Sequence, residues 1–138
     1  MLLDLHALGY REIDELTFVV NAPPVPKMRP RLARNGRVYT PGKTRDYEYL
    51  VRDVAIRAAG ACKWEAADAF YALEVEFNRA KAIGDLDNYV KSVSDALNGV
   101  VWPDDRRVRL IAARVNDDKK SPPRASVRIT KIEVETGG

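Results

Sequence analysis

The sequence holds a single histidine, His6, and a single cysteine, Cys62. A zinc site built on imidazole or thiolate ligands is therefore not expected. An internal disulfide is impossible, which suits a reducing, cytoplasmic setting. No apolar run approaches the length needed to cross a bilayer, so no membrane partner is expected. The first ten residues carry Asp4 and His6 inside their apolar stretch and have no basic flank, so they do not read as a signal peptide. There is no glycine-rich phosphate loop, nucleophile elbow or paired-cysteine motif, and no small-molecule cofactor is expected. Repeats, low-complexity tracts and dividing linkers are also missing. The expectation is one domain over residues 1–138, with residues 1–15 as an extension before the first strand.

With 46% hydrophobic and 31% charged residues, the composition is that of a globular chain long enough to bury a core. Cys62, set among alanines, is expected to be a small buried hydrophobe. The net charge of +3 says little, but its placement says more. Lys27, Arg29, Arg31, Arg34 and Arg37 open a basic block that continues to Arg57 and is opposed only by Asp46, Glu48 and Asp53. Such a block suits a polyanionic partner. An ordinary solvated surface has the same composition, and charge alone does not choose between them.

Leu16 to Val20 reads as a buried strand. Pro23, Pro24, Pro26 and Pro30 keep the next segment out of a helix. Asn35-Gly36 marks a tight turn, with Arg37 to Thr40 as the return strand. Tyr47, Leu50, Val51, Val54 and Ala58 recur at helical spacing, which predicts a helix from about Thr44 to Ala59, stopped by Gly60. Tyr71, Leu73, Val75 and Phe77 alternate with smaller or charged residues in a half-buried strand. A second helix is predicted from about Asp87 to Asn98, with Leu86, Val90, Val93 and Leu97 toward the core and Gly99 as its stop. Val108–Val115 and Ala125–Val134 are the last strands, expected to pair as a hairpin across the polar loop Asn116–Pro123. The pattern is α+β: a small mixed sheet with two helices packed on one face.

The most informative stretch is GDLDNYVKSVSDAL, Gly84 to Leu97. Asp85 and Asp87 are two apart where extended chain enters a helix, so both carboxylates can face one spot. Lys91 and Asp95 follow Asp87 at successive i+4 steps and share its stripe. A second acidic pair, Asp104-Asp105, follows the break at Pro103. Each part has an ordinary explanation: an N-cap, a turn, or a solvated ion pair worth a few tenths of a kcal/mol. Taken together, they are the residue types a Mg²⁺ site needs. Mg²⁺ takes oxygen ligands, usually one or two carboxylates plus substrate phosphate. Asp85, Asp87 and Asp105 are candidate ligands for a metal that activates water against a phosphodiester. Lys91 is the candidate for stabilising the developing negative charge.

The stretch GDLDNYVKSVSDALNGVVWPDDRRV resembles the signature of the RusA family of crossover-junction endodeoxyribonucleases. The shared pattern is an acid-Leu-acid-Asn step, a lysine four residues on, Asp-Ala-Leu, and a hydrophobic-aromatic segment closing on Asp-Asp. The proline-rich PPVPKMRPR is similar to the N-terminal half of many relatives. The resemblance spans roughly Asn21 to Val134. It implies that Asp85, Asp87 and Asp105 are the catalytic acids and Lys91 the catalytic lysine, with Asp95 supporting and Asp104 a weaker candidate ligand. It also implies a RusA-like fold and a homodimer that cuts four-way junction DNA with Mg²⁺, for which Mn²⁺ can substitute. Lys27, Arg29, Arg31, Arg34 and Arg37 are expected to hold DNA phosphates. Tyr39, Tyr89 and Trp102 are candidates to stack at the junction centre, although aromatics beside apolar runs usually belong to the core. Three rivals stay open: a non-catalytic, phage-type DNA-binding accessory protein, a nuclease of other branched DNA or of RNA, and a structural interaction protein.

Overall fold

Two strands that alternate apolar and polar residues build the centre of the sheet. The computed structural model describes residues 2–29, 31–39 and 41–136, without the side chains of Arg31 and Tyr39. Strand β1 runs Tyr10–Val20, and a two-stranded ribbon follows from β2 (Arg31–Leu32) and β3 (Val38–Tyr39). Helix α1 is Gly42–Ala61, strand β4 is Phe70–Arg79 and helix α2 is Leu86–Leu97. A 3₁₀ turn at Asp105–Arg107 leads into β5 (Val108–Asp117), and β6 is Arg124–Val134. The main sheet has the order β1-β6-β4-β5, antiparallel except for the parallel pair β4–β5.

The expected α+β class is what the chain forms, with one correction. β5 and β6 follow one another in sequence but do not pair. β4 lies between them, from Phe70↔Ile132 to Asn78↔Arg124 on one side and from Tyr71↔Val108 to Arg79↔Asp117 on the other. The physical reason is burial. β4 is buried along most of its length, with Tyr71, Leu73, Val75 and Phe77 fully buried on the core face and Glu74 buried on the other, so it takes an interior place. β5 carries Arg109, Arg114 and an exposed Ile111, and it takes an edge.

Both helices cover the same face. Tyr47, Val51 and Ala55 of α1 and Tyr89, Val93, Ala96 and Leu97 of α2 share one core with Leu16, Phe18, Val20 and the inward residues of β4 and β6. Burial of each large apolar side chain there contributes about 1.5–3 kcal/mol. Leu50, counted in the apolar stripe of α1, is 39% exposed at the helix flank. The first strand begins at Tyr10, earlier than expected, so residues 10–15 belong to the sheet. On the face away from the helices, the buried Glu74 carboxylate accepts from the backbone N–H groups of Leu2 and Leu3, at 2.8 and 2.7 Å. Arg128 bridges Glu12, Glu15 and Glu74 on the same face. The segment before Leu16 is thus tied to the fold. Cys62 is exposed rather than buried, because it caps the end of α1, where the chain turns away from the core.

Candidate active site

The parallel pairing of β4 and β5 requires a crossover, and α2 is that crossover. The chain leaves β4 at Arg79, turns through Gly84 and enters α2 at Asp85. It leaves α2 at Leu97, passes Trp102 and reaches Asp105 just before β5. The two acidic groups of the sequence therefore flank one 12-residue helix, roughly 18 Å long at 1.5 Å per residue.

The entry to α2 is latched. Gly84 has φ +82, in the left-handed region that favours glycine. A Cβ there would sit 2.9 Å from Pro26 Cγ and 3.0 Å from Pro26 Cβ. The Arg79 guanidinium donates to the carbonyls of Ile83 (3.2 Å) and Gly84 (3.0 Å). It is held in turn by Asp117 at 2.6 Å and lies 5.4 Å from the centre of the Tyr89 ring. The Tyr89 hydroxyl also donates to the Ile83 carbonyl. Spacing along the chain gives no signal for Arg79, which acts through strand pairing with β5.

Asp85 stands at the N-cap of α2 in extended conformation, φ −95 and ψ 151, yet its side chain makes no capping hydrogen bond. Aspartate is among the best N-cap residues, so a carboxylate at that position that does not cap is free for another ligand. Asp87 lies in the first turn, where the positive end of the helix dipole favours an anion. The ion pairs of this region run through Asp95 and Asp104, and leave Asp85 and Asp87 unpaired among the described residues. Asp104 is the contrasting case. Its carboxylate caps the 3₁₀ turn, accepting from the Arg106 N–H at 2.9 Å, and pairs with the Arg106 guanidinium. These contacts, the backbone bond first, hold its carboxyl below the usual range.

Asp87, Lys91, Asp95 and Asp105 line one depression of about 230 Å³ beside Val90, Ser94 and Ile111. The i+4 stripe read from the sequence is real: Lys91 Nζ is 3.2 Å from Asp95 Oδ1. Asp105 Oδ1 accepts from the indole N–H of the buried Trp102 at 2.7 Å, which fixes that acid at the far end of the helix. Asp85 is outside this depression. Within the protomer, no group of three acidic, histidine or cysteine side chains is placed to hold a metal among the described residues. At the head of α2, Asp85 and Asp87 are the carboxylates without an ion pair among the described residues, and carboxylate oxygens are the ligand type a magnesium-type cation takes. Asp105 joins Asp87 in the depression without closing a three-acid cluster.

Lys27 is mostly withdrawn from solvent. Its ammonium contacts Glu48 at 2.6 Å and Asp95 at 3.1 Å, and its backbone N–H donates to the Asn88 carbonyl at 2.8 Å. Burial pulls its pKa down, but the hydrogen bonds to Glu48 and then Asp95 outweigh that and hold it above 10.5. Lys27 therefore ties the proline-rich segment to both helices. Glu48, which the sequence did not single out, is its partner on α1. Arg29, Arg34 and Arg37 are exposed on and beside the β2–β3 ribbon, without ion pairs among the described residues. In its turn the Asn35 side chain accepts from the Arg37 N–H at 3.1 Å, and Gly36 has φ +82. The side chain of Arg31 and that of Tyr39 lie outside those described. Tyr89 and Trp102 are core residues, 2% and 0% exposed, which settles them as packing rather than stacking groups.

A family model described as Endodeoxyribonuclease RusA matches residues 21–130, which includes every element from the proline-rich segment into β6. No curated protein matches the chain.

Proposed function

This chain belongs to the RusA family of endodeoxyribonucleases, hydrolases that act at crossover junctions, and from that premise we propose that it resolves four-way junctions with Mg²⁺ during DNA recombination and repair. The observation that carries the metal assignment is at the head of α2, where Asp85 holds the N-cap position without capping and Asp87 is unpaired. Asp85 and Asp87 would hold Mg²⁺, or Mn²⁺ in its place. Bound there, the cation supplies Lewis acidity toward the scissile phosphate and a water.

The remaining work falls to the protein's own groups. Lys91, steadied by Asp95, offers its ammonium to the negative charge that grows on the phosphoryl oxygens. Asp105, oriented by Trp102, keeps its second oxygen for the reacting region. Asp104 serves the turn that presents Asp105. Arg29, Arg34 and Arg37, with Arg31, hold backbone phosphates, and Lys27 acts through the segment it anchors. Phosphate contacts carry little base information, so binding follows junction shape first. A homodimer suits a four-way junction, because a two-fold protein sets two sites on two near-equivalent strands. Among the described residues no helix is long and apolar enough to cross a membrane. We assign the enzyme to the cytoplasm on other grounds, the DNA substrate of its family and the reducing setting that suits the lone Cys62.

The test is cleavage of a synthetic four-way junction, set beside flap, duplex and RNA hairpin, with and without Mg²⁺. Paired cuts on opposed strands of the junction that require the cation are expected. Activity that survives complete chelation would overturn the metal assignment, and faster cutting of the flap or RNA would overturn the substrate.

A further inference from the structure

Beside the Gly84 turn lies a second and larger cleft, of about 580 Å³, that the metal chemistry does not use. Its walls are apolar: the rings of Pro23, Pro24, Pro26 and Pro123, with Met28 and Ile83. Ile83 is 59% exposed, an aliphatic side chain left in solvent two residues before Asp85. We propose that this cleft receives one nucleobase, turned out of the DNA stack next to the phosphodiester that is cut. The inference rests on the assignment of Asp85 and Asp87 to catalysis.

Three observations select a nucleotide. First, the size falls within the range of roughly 300–1,000 Å³ that small-molecule pockets occupy, enough for a base with its sugar. Flat apolar walls suit the faces of a base, and proline, isoleucine and methionine are among the side chains that displace bases from a stack. Second, the cleft is apolar inside but cationic at its margin. Lys43 from α1 and Lys81 from the loop after β4 line it, and neither is in an ion pair among the described residues. A strand of DNA presents the flat faces of its bases between anionic phosphates, which is this pattern in complement. An apolar peptide would have no use for the lysines. Third, the wall is rigid where it meets the candidate active site. Arg79 and Tyr89 both hold the Ile83 carbonyl, and Gly84 packs against Pro26. A base seated against Ile83 fixes the register of its strand relative to Asp85, so the cleft selects which phosphodiester is presented.

The experiment places 2-aminopurine, whose fluorescence rises on unstacking, at each position flanking the cut in a synthetic junction. It is read with the intact protein and Ca²⁺ in place of Mg²⁺. A severalfold rise at one position is expected, reduced to background in Ile83→Ser and in Lys81→Ala. Both residues are exposed, and circular dichroism checks that the variants fold. No rise at any position with the junction fully bound overturns the proposal, and would point to a protein segment as the occupant. A rise that persists in both variants also overturns it, by removing the base from this cleft. A rise that depends on Ile83 and Lys81 in a protein that cuts no DNA supports the cleft and refutes the catalytic reading.

Discussion

Asp85 and Asp104 stand at the same place relative to the helical turns they precede, and only Asp104 caps. The two substitutions should therefore separate. Asp85→Asn is expected to reduce junction cleavage by about a hundredfold or more, the scale of losing one electrostatic group from a reacting centre. Its stability should stay within about 0.5 kcal/mol of the parent, because no capping bond is removed. Asp104→Ala should lower the thermal midpoint. Because the Asp104 carboxyl is depressed below 3.8 in the fold, its stabilisation is present above that value and lost as pH falls through the lower folded one. Midpoints measured down the acid range, beside cleavage rates, check both. The placement of Asp85 and Asp87 together at the head of α2 was legible because their spacing is local. Lys91–Asp95 was legible for the same reason, as an i+4 pair. Arg79 and Glu48 were not, since their partners come from other elements, 38 and 21 residues away.

At the scale of elements, the turn into α2 is where the fold and the candidate site are most tightly joined. Gly84→Ala puts a side chain at φ +82 and forces Pro26 to give way. It should cost about 1–2 kcal/mol for the left-handed conformation alone, and cleavage should fall with the displacement of Asp85. Thermal unfolding and single-turnover cleavage measure the two effects. Lys27 clamps the proline-rich segment to α1 and α2. Lys27→Met leaves two acids without their shared cation and should cost about 1–3 kcal/mol, between the exposed and buried limits for such pairs. The raised pKa of Lys27 gives the sign. The parent holds this stabilisation below 10.5 and loses it as pH rises through the higher folded value, whereas the methionine variant shows no such loss. Denaturant midpoints across the alkaline range resolve this. Both helices were readable from apolar periodicity, and α2 ends within a residue of expectation. The first half of β1 was not readable, because Arg11, Glu12, Asp14 and Glu15 carry no apolar alternation. They are in the sheet through pairing with β6 and through ion pairs such as Glu12 and Glu15 with Arg128.

Across the whole molecule, exposed cations gather on the β2–β3 ribbon and its approach, while the candidate active site is acidic. Charge reversal at Arg29, Arg34 and Arg37 should weaken binding to any DNA and flatten the dependence of log K on log salt by about 0.9 for each phosphate no longer neutralised. Fluorescence anisotropy across a salt series measures that slope, and an unchanged slope would remove the ribbon from the DNA interface. The α+β class was legible from element order, but the neighbour relations were not. Proximity in sequence favours a β5–β6 hairpin, whereas burial of β4 on both faces puts it between them.

That arrangement makes β6 the seam of the sheet, the one strand bonded to both β1 and β4. During translation, β1 is synthesised more than a hundred residues before its partner. Its charged first half then serves the waiting chain, since charged residues along an unpaired edge discourage neighbouring nascent chains from joining it. β6 follows every other strand of this sheet in the chain, so the sheet cannot close until β6 is free to pair.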